Sequence, residues 1–453
     1  MPDRRDDLDS WLDGRIDPLP PPPGTFELIK KRARRRKFRR LAVGAGAAAV
    51  IVAAAVTVPQ VVNLPVLNPT TASGVANGRS SAPASSASGG ATAASSSASP
   101  IESRAAAPVP ANFRPSSVTF IGTQTGWVIG QAGTPGNCAT QYCTSVARTN
   151  DAGKTWTGVP APVTGPADGA TGVSQIRFLN GADGWAFGPP LYATHDGGHT
   201  WARVATDGRR VTDLETVDGR AFALFASCTG SGPAFAVNCT SYSLYSSPAS
   251  ADDWTPVGPA TSGLDGGAAS MVLTETRGYL LAPDRMLYSG PVNGSAPWLP
   301  VARVPCPVGQ PLADGRPTGA LLAAANTTNL VLACASSSAP GTQQDKQVFT
   351  SANGGTTWQS AGAAPSLGLA TSVAATPDGT YVLATGQGID VQPAGSGAWK
   401  AATLNGPAPA GGFGYVGMTT DAQGIALPAD PAVGTVWFTF DGGQTWRPSP
   451  VSA

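Results

Sequence analysis

The sequence predicts an all-β fold, a seven-bladed β-propeller, preceded by a disordered stalk and one transmembrane helix. Three observations predict it. An eight-residue turn motif recurs along the C-terminal part of the chain. Seven tryptophans close repeats of the length of one four-stranded blade. A basic block followed by an uncharged apolar run stands ahead of them.

The motif reads TNDAGKTW at 149–156, THDGGHTW at 194–201, SANGGTTW at 351–358 and TFDGGQTW at 439–446. Its common form is [Ser/Thr]-x-[Asp/Asn]-x-Gly-x-Thr-Trp. The side-chain oxygen of Asp or Asn can accept nearby backbone N–H groups and close a tight turn. Gly supplies a positive φ, and Trp buries a large apolar face with an indole N–H to satisfy. Asp151, Gly153 and Trp156 fill these roles in the first copy, and Asp196, Gly198 and Trp201 in the second. Asn353, Gly355 and Trp358 fill them in the third, and Asp441, Gly443 and Trp446 in the fourth. Decayed copies close on Trp254, Trp298 and Trp399. The seven tryptophans follow one another at intervals of 41–60 residues, the period of a propeller blade.

A second repeat runs in step. A short apolar strand, usually opened by Gly, precedes each Trp: GWVIG at 126–130, GWAFG at 184–188, GRAFAL at 219–224, GYLLA at 278–282, NLVLA at 329–333, GTYVL at 379–383 and GIALP at 424–428. The expected order within a blade is inner strand, apolar strand, third strand, turn motif, outer strand. A β-sandwich array is the alternative, disfavoured by two repeats in step at this period.

Ahead of the repeats, residues 41–62 carry no charge and are long enough to cross a bilayer as a helix. Nine of the eleven residues at 30–40 are basic, which places the N-terminus in the cytoplasm and the C-terminus outside. A cleaved signal peptide, with Arg35-Arg36-Lys37-Phe38 as a twin-arginine core, is the alternative. Residues 1–40 read as a disordered cytoplasmic tail with a basic juxtamembrane end. Residues 63–112 are rich in Ala, Ser, Thr, Pro and Gly and read as a flexible linker. The propeller occupies 113–453. This layout resembles the membrane-proximal part of many actinobacterial single-pass proteins.

The six cysteines, Cys138, Cys143, Cys228, Cys239, Cys306 and Cys334, all lie beyond the anchor in three near-neighbour couples. In an oxidising compartment they read as three disulfides, each within one blade; scattered reduced core cysteines are the alternative.

The turn motif resembles the Asp-box, or BNR, repeat of the sialidase-like superfamily, to which sortilin-type receptors, secreted glycosidases and the photosystem II assembly-factor family are similar. The resemblance covers about 113–453 and implies that the Asp-box residues are structural and peripheral. It leaves function open, because one scaffold hosts many activities. Three readings follow: a binding or assembly module for a cell-envelope protein or glycan, a sialidase-type glycosidase, and an envelope sensor signalling through the cytoplasmic tail.

A glycosidase of this kind needs an arginine cluster, a Tyr nucleophile with an acidic partner, and an Asp acid/base. The body offers Arg114, Arg177, Arg277, Arg285, Arg303 and Arg316, but only Glu215 and Glu275 as glutamates. No motif gathers them; Phe113-Arg114-Pro115 is a fragment of the family's Phe-Arg-Ile-Pro sequence. The enzymes resembled have six blades. No catalytic residue and no cofactor is therefore expected. His195 and His199 stand four residues apart, a spacing met in metal sites. Both occupy variable positions of the turn, so the expectation is exposed turn residues and no metal. From residue 113 onward 15 basic residues face 20 acidic ones, which argues against a nucleic-acid partner. Oligomeric state has no signature in the chain.

A reporter fused after Ala453 should be active only in its exported form; activity confined to the cytoplasmic form would reverse the topology.

Overall fold

The computed structural model describes residues 107–132, 143–164, 172–229, 238–262, 269–306, 319–335 and 346–452. The tail at 1–40, the apolar run at 41–62, the linker as far as 106, and Cys138 lie outside the described residues. Among the described residues no helix is long and apolar enough to cross a membrane.

Seven antiparallel sheets follow one another along the chain, each built from four strands in sequence order. Blade 1 spans 114–159, blade 2 175–204, blade 3 210–262 and blade 4 270–303. Blade 5 spans 320–360, blade 6 370–401 and blade 7 413–450. The first strands lie innermost. Their polar groups bond directly from blade to blade, as in Ser117 Oγ accepting the Ile176 N–H and Thr371 Oγ1 donating to the Phe413 carbonyl. The second strands are the Gly-opened apolar repeats. Gly184–Phe187 is buried throughout, as is Gly424–Pro428. Each blade is thus a radial sheet whose apolar second strand is covered on both faces.

Seven apolar clusters fill the seven seams between neighbouring blades. The seam between blades 1 and 2 stacks Trp127 on Phe178 at 3.9 Å. The ring closes where blade 7 meets blade 1, through Val118, Val128 and Trp156 against Ile425, Val436 and Phe438. No strand is exchanged at this joint: blade 1 and blade 7 each use four consecutive strands, and Thr403–Leu404 pairs in parallel outside the last of them. The segment 107–113, assigned from composition mostly to the linker, belongs to the ring. Ala107 bridges to Gly158, and Val109 and Phe113 are buried against Val451. A few well-spaced apolar residues are enough to dock this stretch, which composition alone does not weigh.

The four complete turns share one hydrogen-bond pattern. In the first, Gly153 N donates to Thr149 Oγ1 at 2.9 Å, Thr155 N to Asp151 Oδ1 at 2.9 Å, and Thr155 Oγ1 to Asp151 Oδ2 at 2.6 Å. The same bonds recur around Asp196 and Asp441. Asn353 accepts the Thr357 N–H and donates its amide to Thr357 Oγ1. Burial works to raise the Asp151 carboxyl, but the bonds from Thr155 and Thr149 outweigh it and hold it at about 2.

The turn also seals a seam. At Gly153, with φ +78°, a Cβ would lie 2.2 Å from the Phe438 ring of blade 7; at Gly355, with φ +85°, it would lie 2.2 Å from Leu287 of blade 4. The glycine is needed for its backbone angle and for the approach of the preceding blade. Indole N–H groups fare unequally. Trp201 and Trp446 donate to the carbonyls of Pro160 and Gly443, whereas Trp156 and Trp358 have no partner.

Trp446 is fully buried while Trp201 is half-buried. Trp446→Ala should lower stability by roughly 3–5 kcal/mol and His199→Ala, on an exposed turn position, by less than about 0.5 kcal/mol. Equal losses in thermal unfolding would contradict the seam role of the tryptophan.

Candidate functional site

Polar side chains of the innermost strands converge on the axis. Arg177, on the first strand of blade 2 (Gln175–Phe178), donates from Nε to Glu215 Oε1 of blade 3 at 3.1 Å. Its NH1 reaches Ser117 Oγ of blade 1 at 3.3 Å and the Ile176 carbonyl at 2.9 Å. Asp213 stands two residues before Glu215 on the same strand (Arg210–Val217), so both carboxyls project from one face. Asp213 Oδ2 accepts the Met271 N–H of blade 4 at 2.7 Å. Tyr415, on the first strand of blade 7 (Phe413–Met418), completes the group electrostatically.

Two carboxyls and a phenol thus share one guanidinium. The side chains of Arg177 and Glu215 keep 14% and 30% of their surface exposed, yet they sit deep within the ring. Burial opposes the charge on Arg177, but Glu215, Tyr415 and Asp213 together outweigh it, and the guanidinium pKa is raised. Burial pushes the Asp213 carboxyl up to about 7; repulsion from Glu215 adds to this, against the pull of Arg177 and of the Met271 and Leu214 N–H groups. Burial also raises the Tyr415 phenol. Asp213 thus holds its proton well above the usual carboxylate range.

The sequence reading treated Arg177 and Glu215 as isolated residues and did not single out Asp213 or Tyr415. No motif gathers these residues in the chain; the ring brings a guanidinium, two carboxyls and a phenol together from blades 2, 3 and 7. The available signal was weak: charged or aromatic-hydroxyl residues at interior positions of short inner strands. The arrangement is not an arginine clamp. Arg177 is engaged by Glu215, Ser117 and the Ile176 carbonyl. Arg277 bonds to Ser289, Arg285 to the Cys306 carbonyl and Arg303 to the Asp284 carbonyl. Arg114 heads the first strand of blade 1, and Arg316 lies outside the described residues.

His195, expected to be a plain turn residue, bridges two blades. Nδ1 lies 2.9 Å from Asp183 Oδ1 of blade 2 and Nε2 3.0 Å from Asp252 Oδ2 of blade 3. Burial disfavours its charge, but the two carboxylates outweigh this and raise its pKa. Asp252 also accepts the Trp185 indole N–H at 2.9 Å. His199 is exposed on the turn. Among the described residues no group of three or more potential ligands could hold a metal ion.

The two faces of the ring differ. The complete Asp-box turns lie beside the first-to-second strand turns, bonded through Ala152 N to the Gln124 carbonyl, Gly197 N to Ala182, Gly354 N to Thr328 and Gly442 N to Ala422. The second-to-third strand turns and the connections between blades occupy the opposite face. Both described disulfides lie there. Cys228–Cys239 ties the second and third strands of blade 3, and Cys306–Cys334 ties the connection after blade 4 to blade 5. Cys143 is also disulfide-bonded. The paired strands of blade 3 run 10 and 11 residues, against 4 and 4 in blade 2. At about 3.3 Å per residue, this hairpin projects roughly 10–20 Å beyond its neighbours.

No family model and no curated protein matches the chain. Several solved structures are similar to it. YCF48 from Cyanidioschyzon merolae is 15% identical, with a TM-score of 0.41 over 61% of this chain and 85% of that one. The GH74 enzyme of Niastella koreensis is 12% identical, with a TM-score of 0.36 over 74% and 65% of the two chains. PorZ of Porphyromonas gingivalis, a surface component of the type-IX secretion system, is 12% identical, with a TM-score of 0.45 over 76% of this chain and 39% of its own.

Asp213→Asn should remove a pH dependence. An unfolded Asp titrates near 4, whereas the folded one does so at about 7. The folded state therefore binds the extra proton, and wild-type stability falls as pH rises between these values. The unfolding temperature of the variant relative to wild type should be near zero difference at pH 4 and become positive up to pH 7. A difference independent of pH would refute the buried, protonated carboxyl.

Proposed function

We propose that this chain is a membrane-anchored, extracytoplasmic binding or assembly module, held by residues 41–62 and presenting its connection face to a cell-envelope protein or glycan. The observation that carries this is the disulfide-tied hairpin of blade 3, where Cys228 lies opposite Cys239 on strands that outreach the neighbouring blade. A bridge across a projecting hairpin limits the conformations open to its end. Such pre-ordering lowers the entropy cost of binding. The Asp-box face, by contrast, is committed to local turn bonds and seams.

The axial group favours a second reading, a glycosidase, because it combines a phenol, carboxyls and a guanidinium. The bonds already made by Arg177 leave this reading short of a carboxylate clamp. The purified ectodomain, with disulfides formed, should not turn over a fluorogenic sialoside. Turnover abolished by Arg177→Ala would establish the enzyme instead.

The binding reading is tested with a photo-crosslinking residue in living cells. At Thr240, exposed beside Cys239, it should capture a discrete envelope component; at Lys154, exposed on an Asp-box turn, it should not. Equal capture from both positions, or capture from Lys154 alone, would overturn the assignment of the face.

A further inference from the structure

Three blades lack a complete Asp box, and two of them replace its seal. At the seam of blades 2 and 3, Asp252 takes the Trp185 and His195 bonds. At the seam of blades 3 and 4, the Arg220 guanidinium covers Gly294, where an added Cβ would lie 3.3 Å from it. Blade 6 has no such substitute. Its corner is a small turn in which Ser396 N donates to the Pro393 carbonyl, and a Cβ added at Gly395 or Gly397 would meet nothing within 4 Å. The seam beneath is also lined with small residues, including Ala323, Ala333 and Ala364. The outcome is a cleft of about 710 Å³ between blades 5 and 6 at the Asp-box side, a size typical of small-ligand sites.

The walls face each other in register. On blade 5, Thr350 pairs with Gln359 across two strands; on blade 6, Tyr381 pairs with Gln392. Gln392 is only 6% exposed, lines the cleft, and its amide makes no hydrogen bond within the protein. The side chains of Asn329, Thr350 and Tyr381, also on the walls, are likewise without a protein partner. The Gln392 amide meets solvent in the cleft, where a ligand's polar groups can take the place of water. The one carboxylate on the walls, Asp378, is occupied by Thr376 Oγ1 and the Thr380 N–H.

From this we infer a binding site for a neutral, polyhydroxylated ligand, an uncharged oligosaccharide. Amides and hydroxyls match sugar hydroxyls as both donors and acceptors, and the Tyr381 ring offers an apolar face with a polar tip. An anionic ligand finds no counter-charge on these walls. A peptide added as a strand needs a long free edge. The outer strands here, Gln359–Ser360 and Lys400–Ala401, have two residues each. The site lies on the face opposite the projecting hairpin and stands or falls independently of the crosslinking result.

The full-length chain is titrated with cellohexaose, maltohexaose and mannohexaose, and with a capped neutral Gly/Ser/Asn hexapeptide, by saturation-transfer NMR. At least one saccharide should bind saturably. Gln392→Met, which keeps the side-chain volume, should weaken it roughly 3- to 10-fold, the worth of one or two hydrogen bonds. Asn329→Ala, farther from the core, should act in the same direction with an unchanged unfolding temperature. Absence of saturable binding to all three saccharides, binding indifferent to both variants, or binding of the peptide alone would overturn the site.

Discussion

The ring is held shut chiefly by side chains. Every blade is assembled from its own four consecutive strands, and among the described residues no backbone ladder crosses the joint of blades 7 and 1, whereas Thr403–Leu404, which follows blade 6, pairs with the last strand of blade 7 and Trp298 N of blade 4 donates to the Val257 carbonyl of blade 3. Seam contacts must supply the rest. The aromatic residue of the second strand does much of this. Trp127 donates to the Gly197 carbonyl of blade 2, Trp185 to Asp252 of blade 3, and Tyr279 to the Thr327 carbonyl of blade 5. Each thus combines a large buried area with one directed bond onto the corner of the next blade. The Asp-box glycine presses back in the opposite sense, onto the apolar face of the blade before it. The two repeats visible along the chain are the two halves of one contact.

This division of labour sets where polar groups can go. Seams are apolar, so charge is admitted at the axis, where first strands face one another, and at seam ends. At the axis, Arg177 links blades 1, 2 and 3, and Asp213 carries the link to blade 4. Buried ion pairs contribute little net stability against apolar alternatives, but a single charge partner in the middle of the ring penalises wrong pairings of the blades. The seam between blades 5 and 6 shows the other solution. Lys346 and Asp390 are both buried there, at the end away from the cleft. Lys346 is held by the Ser366 and Gly368 carbonyls, and Asp390 accepts the hydroxyl of Ser366 at 2.6 Å. Burial raises the Asp390 carboxyl, while Ser366 and Lys346 pull it down. Polar groups stand at this end, alanines line the seam, and the cleft opens at the other end.

The two faces have diverged for the same reason. A turn that must seal a seam tolerates little change, so the Asp-box face is repetitive. On the opposite face the chain lengthens the strands of blade 3 and carries the described disulfides. Closing a loop with a disulfide restricts the unfolded chain without demanding apolar area, which suits hairpins standing clear of the core.

The architecture was legible in the chain because its signals are local. An Asp151 that caps its own turn, a Gly153 with positive φ, and a Trp-closed repeat at blade length all express bonds within a few residues of one another. Seven blades and their strand order follow from these. What the sequence could not determine was anything that depends on which blades face each other. Asp213 and Tyr415 lie 202 residues apart, and no spacing rule joins them; they meet because blades 7, 1, 2 and 3 are contiguous in the closed ring. His195 read as a turn residue because its partners are distant in sequence, Asp183 at an earlier turn of its own blade and Asp252 on the neighbouring sheet. The placement of Val109 within the ring, the one face that collects the described disulfides, and the open seam beside Gln392 were likewise decided by tertiary packing. Turn chemistry is set by short-range hydrogen bonds, whereas seams, axial charge and clefts arise from contacts between blades far apart in the chain.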